Sequence, residues 1–105
     1  MTTNPVIKFE ITTSQEVADR LLRDFESRLR SAFKGVLYVA RSERSSEDKK
    51  SHLSNRVSVT SEGDVYKGRA VYEGGILKVS FEMKEEGSTH VYSNIADVVK
   101  DTFKE

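Results

Sequence analysis

Cysteine and tryptophan are absent from this 105-residue chain, proline occurs once, and 17 basic residues are balanced by 17 acidic ones. Without cysteine there is no disulfide, no thiolate nucleophile and no thiolate metal site, and composition carries no information on redox compartment. A formal charge of zero removes the simplest argument for nucleic-acid or membrane binding, a wholly basic chain. Long apolar runs are missing too. The longest, Val36-Leu37-Tyr38-Val39-Ala40, falls far short of the roughly 20 residues that span a bilayer. Met1-Thr2-Thr3-Asn4-Pro5 has neither the basic start nor the apolar core of a signal peptide, so a cytoplasmic protein is the expectation. The length suits one domain, residues 1–105, able to bury about 65% of the surface its unfolded chain exposes.

What is present is periodicity. Ile7, Phe9 and Ile11 alternate with Val6, Lys8 and Glu10, the pattern of a half-buried strand. Thr13-Ser14-Gln15-Glu16 reads as a capping box with Thr13 as the cap. Behind it Val17, Leu21, Leu22, Phe25, Leu29 and Phe33 recur at helical spacing up to Gly35, which predicts a helix over about 14–33. Val36 to Arg41 reads as a second strand. From Ser42 to Asn55 the periodicity disappears into polar and charged residues, which predicts a solvated loop. Three strands follow, Arg56–Thr60, Val65–Tyr72 and Ile76–Met83, separated by Glu62-Gly63-Asp64 and Glu73-Gly74-Gly75. Ser88 or Thr89 then caps a last helix whose apolar residues are Val91, Ile95, Val98, Val99 and Phe103. The order β-α-β-β-β-β-α implies an α+β fold in two layers, with both helices packed on one face of an antiparallel sheet.

Catalytic signals are weak. A nucleophile triad needs a histidine base held by an acid, and only His52 and His90 are available. His52 falls in the polar stretch, and His90 falls in the first turn of the last helix. The two have no metal-ligand spacing. Gly74-Gly75 joins two strands rather than a strand to a helix, as phosphate loops require. The arginines of the first helix follow acids four residues earlier (Glu16–Arg20, Asp19–Arg23, Asp24–Arg28, Glu26–Arg30), a self-neutralised face. The expectation is therefore no enzyme, no catalytic or metal residues and no cofactor.

The sheet is more informative. With the apolar residues turned to the helices, the open face carries Lys8, Arg56, Lys67, Arg69 and Lys78 against Glu10 and Glu82, together with Ser58, Thr60 and Ser80. Tyr66 and Tyr72 share the inward parity, which leaves this face without an expected aromatic. A neutral chain thus conceals a basic surface. The leading reading is a small protein–protein interaction module (an adaptor, inhibitor or complex subunit), a homodimer through the sheet being one form of it. Contacts fall on Lys8, Arg56, Lys67, Arg69 and Lys78, or on the stretch from Glu43 to His52. The alternatives are a nucleic-acid-binding module using the same face and a carrier of a small apolar ligand. A membrane partner is not expected.

Overall fold

The computed structural model describes residues 6–45 and 52–104. Strand β1 (Val6–Thr12) leads into helix α1 (Gln15–Ala32), followed by β2 (Leu37–Ser45), β3 (His52–Ser61), β4 (Tyr66–Glu73), β5 (Ile76–Met83) and helix α2 (Thr89–Phe103). All four strand pairings are antiparallel and the spatial order is β1-β5-β4-β3-β2. Strands β2 to β5 form a meander, and β1 adds to β5 at the far side. Helix α1 therefore connects the two opposite edges of the sheet, crossing its back against β2, β3 and β4. The architecture is the expected α+β sheet with both helices on one face.

The hairpins follow from their turn residues. Gly74 and Gly75 between β4 and β5 both have positive φ (61° and 82°), the requirement of a two-residue turn that matches strand twist. Gly63 (71°) and Asp64 (55°) turn β3 into β4, and the Lys84 Nζ donates to the Gly63 carbonyl at 3.0 Å.

Apolar parity fills the space between the layers. Leu77, Val79, Phe81 and Met83 of β5, Val57 and Val59 of β3, and Tyr66 and Ala70 of β4 are all buried. Against them α1 buries Ala18, Leu22, Phe25 and Leu29, and α2 buries Tyr92, Ile95, Val99 and Phe103. Each large apolar side chain so removed from water contributes about 1.5–3 kcal/mol. The Phe103 ring joins the layers, standing edge-on to Phe25 at 4.9 Å and to Phe9 at 6.0 Å between centroids. Tyr66 and Tyr72 point inward as expected: the Tyr66 hydroxyl accepts from the Ser88 amide at 2.7 Å, and the Tyr72 hydroxyl donates to the Thr13 carbonyl at 2.9 Å.

Three expectations are corrected. The stretch 42–55 is not simply a loop: β2 runs on to Ser45 and β3 starts at His52, so strand pairing extends well into it, while residues 46–51 lie outside the described residues. The cap of α1 is Ser14, whose hydroxyl accepts from the Val17 amide at 3.3 Å, rather than Thr13. Three of the four expected pairs on α1 form, at 2.9–3.1 Å, but Glu16 and Arg20 do not pair.

The reason for the first correction lies in a polar network. In β2 the core-side positions after Val39 are Arg41 and Glu43, at the end of the sheet where α1 presents charge instead of leucine. Arg41 donates to Glu26 (2.9 Å), Glu43 (2.6 Å) and the Ser54 hydroxyl (2.8 Å). Arg23 reaches Asp19 (2.9 Å), Glu43 (3.4 Å) and the His52 carbonyl (3.3 Å). The fully buried Ser54 donates its amide to Asp19 at 2.7 Å and accepts from Gln15 at its carbonyl, 3.1 Å. A register shift beside Ser42 and Glu43 places an extra residue, Asn55, in β3.

Candidate functional site

The open face of the sheet can be laid out from strand register alone. One cross-strand row reads Tyr38, Thr60, Lys67, Glu82, Val6. The next reads Ala40, Ser58, Arg69, Ser80, Lys8, and the third Ser42, Arg56, Val71, Lys78, Glu10. Lys8, Arg56, Lys67, Arg69 and Lys78 are all exposed and all on this face, where sequence parity puts them. The structure brings the five together.

Their arrangement is regular. Arg56 and Arg69 are diagonal neighbours across β3 and β4, Arg69 and Lys78 across β4 and β5, and Lys78 and Lys8 across β5 and β1. Diagonal partners on an antiparallel sheet lie about 7–8 Å apart. Four cations thus form a zigzag line crossing four strands, and Lys67 stands two residues from Arg69 on the same strand. The line runs through two shallow hollows of about 680 and 510 Å³, which between them touch all five cations. Short Ser58, Thr60 and Ser80 side chains lie between the long basic ones. Arg56 Nε donates to the Ser58 hydroxyl at 3.1 Å, which holds this guanidinium along its own strand.

Among the described residues ion pairs are confined to α1 and β2. On the helix side Arg23, Arg28, Arg30 and Arg41 all meet carboxylates. Among the described residues, no ion pair involves any of the five sheet cations, although Glu10, Glu73 and Glu82 share their face.

Elsewhere the perturbed groups are structural. Burial pushes the Asp19 carboxyl up, but the Ser54 amide and Arg23 outweigh it and hold the group below its ordinary value. Glu26 is lowered in the same way, burial being overcome by Arg41 and Arg30. Glu43 is lowered by its hydrogen bond to Arg41, and Arg41 is raised in return by Glu43 and then Glu26. Burial raises the Tyr92 phenol, whose hydroxyl donates to the Phe81 carbonyl at 2.9 Å. These groups are engaged in joining α1 and α2 to the sheet. His52 and His90 are both exposed, His90 in the first turn of α2. Among the described residues no group of three or more histidine, aspartate and glutamate side chains could hold a metal ion, and no helix is long and apolar enough to cross a membrane.

One residue of the face was missed at the level of sequence. Tyr38 lies on β2 with outward parity, 61% exposed, in the same row as Thr60 and Lys67. Alternation with the buried Leu37 and Val39 was the signal that places it there. The open face therefore does carry an aromatic, at its β2 rim. Comparison of the chain with protein-family models, with curated proteins and with solved structures gives no match.

Proposed function

We propose that this chain is a binding protein rather than an enzyme, and that the open face of its sheet holds an anionic partner. The observation that carries the proposal is the zigzag of Arg56, Arg69, Lys78 and Lys8, with Lys67 beside it; among the described residues none of the five forms an ion pair, although Glu82 stands opposite Lys67 and Glu10 opposite Lys78, and the cations outnumber the carboxylates of the face. Like charges held this close repel one another, and a ligand bearing several negative charges relieves that repulsion while releasing counterions. Serine and threonine hydroxyls between the cations supply uncharged donors for the same oxygens. The hollows are shallow and open to solvent, with charged and hydroxyl side chains among their lining residues, which suits a surface-bound chain better than an enclosed apolar ligand.

The face, rather than the edge, is the docking element. Arg30 Nη2 donates to the Val39 carbonyl at 2.7 Å and so takes up a main-chain acceptor of edge strand β2 that an added strand would compete for. Retention on a heparin column in a salt gradient tests the proposal. The wild type elutes at substantially higher salt than Arg56→Glu/Arg69→Glu, whereas Arg20→Glu, on the exposed side of α1, elutes with the wild type. Equal elution of all three proteins, or an effect of Arg20→Glu alone, contradicts it.

A further inference from the structure

We infer that the anionic partner is a single-stranded nucleic acid, its phosphates following the cation zigzag and a base stacking on Tyr38; this rests on the open face being an anion-binding surface. Three features select this ligand. First, four of the cations stand at successive diagonal positions on four strands, so that a chain bearing regularly repeated negative charge meets one after another as it crosses the sheet.

Second, the face lacks the apolar centre of a protein interface. Protein partners bury a hydrophobic core ringed by polar residues. Here the apolar positions are few and interspersed with charge: Val6 at one edge, Tyr38 and Ala40 on β2 at the other, and Val71 with its diagonal neighbour Ile76 beside Arg56 and Lys78. Nucleic-acid interfaces are more polar and far more positive, as this one is.

Third, Tyr38 presents its ring to solvent at the rim, 61% exposed, in the row of Thr60 and Lys67. Among the described residues it is the exposed aromatic, and the other three tyrosines make hydrogen bonds inside the fold. The ring stands two strands, about 10 Å, from Lys67, with Thr60 between them, within reach of a base on a strand whose phosphates follow the cations; every base has a face to stack, and only unpaired bases are free to do so. A duplex offers no such face, and a rim tyrosine gains nothing from it.

Fluorescence anisotropy with labelled oligothymidylate and oligouridylate about 12 nucleotides long, within the usual site size of such surfaces, tests the inference. A duplex of equal length, polyphosphate and a polyglutamate peptide serve as competitors. The wild type binds the single strands, and the slope of log K against log salt is about −2 to −3.5, as three to five phosphate contacts require. Tyr38→Ala weakens oligonucleotide binding about ten-fold, Tyr38→Phe restores it, and polyphosphate binding stays the same in all three proteins. Thermal melts confirm folding of each variant, all of which change exposed positions. Equal loss of oligonucleotide and polyphosphate binding in Tyr38→Ala, or no loss of either, overturns the stacking inference while the anion-binding face stands. Preference for the polyglutamate peptide overturns it in favour of an acidic protein. If none of the polyanions binds at low salt, the anion-binding reading itself fails, and this inference with it.

Discussion

Replacing Gly68 with alanine drives a methyl group into the ring of Phe81. A Cβ built on Gly68 would lie 2.2 Å from Phe81 Cδ2 and 2.6 Å from both Cγ and Cε2. Apolar carbons rest at about 3.5–4.0 Å, so the ring must retreat by more than about 1 Å. It has little room to do so. Phe81 is directly opposite Gly68 in the β4–β5 register and 1% exposed, and its own carbonyl is held by Tyr92. Overpacking of this kind costs about 1–3 kcal/mol, and the enclosure of Phe81 puts the cost in the upper half of that range. Removing a glycine from a strand returns about 0.5–1 kcal/mol. The net loss is about 1.5–2 kcal/mol, or a fall of roughly 10 °C in Tm for a domain of this size. Urea denaturation followed by circular dichroism measures it, and a double-variant cycle assigns it. In a Phe81→Leu background, where the ring is gone, the same Gly68→Ala change costs less than about 0.5 kcal/mol, so the pair couples strongly. Wild-type stability of Gly68→Ala, or an equal cost in both backgrounds, refutes the packing argument.

Three further outcomes follow from other parts of the fold. Gly87→Ala drives a methyl group into Cγ of the buried Met83 and to 3.1 Å from the Lys84 carbonyl oxygen, and costs about 1–3 kcal/mol in the same assay. Ser14→Ala lowers stability by about 1 kcal/mol through loss of the α1 cap, while Thr13→Ala, whose backbone rather than side chain makes the local hydrogen bonds, lowers it by less. Asp19, Glu26 and Glu43 are all held below their ordinary values in the folded state, so the stability they supply is complete above the unfolded values near about pH 4 and is lost as pH falls through the folded ones. Arg41→Ala therefore costs about 1.5 kcal/mol at pH 7, and its urea midpoint converges on that of the wild type as pH is lowered towards 2.

The parts of the fold legible in the sequence are those in which one apolar face repeats without interruption. Leu77, Val79, Phe81 and Met83 fix the inward face of β5, and the glycine pair before them fixes the hairpin, so register carries that parity to β4 and β3. The five sheet cations could be placed for the same reason. What was hidden is the outer half of the β2–β3 hairpin. There the core-side positions are Arg41, Glu43 and Ser54, which are satisfied by Glu26, Arg23 and Asp19 from a helix distant in sequence. A half-buried ion-pair network looks like a solvated loop when only the hairpin is read. Asn55 adds a bulge, which breaks the alternation where it would otherwise have signalled a strand. Tyr38 was visible by parity but sits inside an apolar run, Val36 to Ala40, that reads as core on both faces.

The central claim is that binding belongs to one face of the sheet. Adding polyphosphate, and then oligothymidylate, to ¹⁵N-labelled protein at low salt while recording amide shifts tests it most directly. The account predicts shifts centred on Lys8, Ser58, Lys67, Arg69 and Ser80, with Tyr38 joining them only for the oligonucleotide. Shifts centred on the exposed side of α1, or no shifts with either polymer, would contradict it.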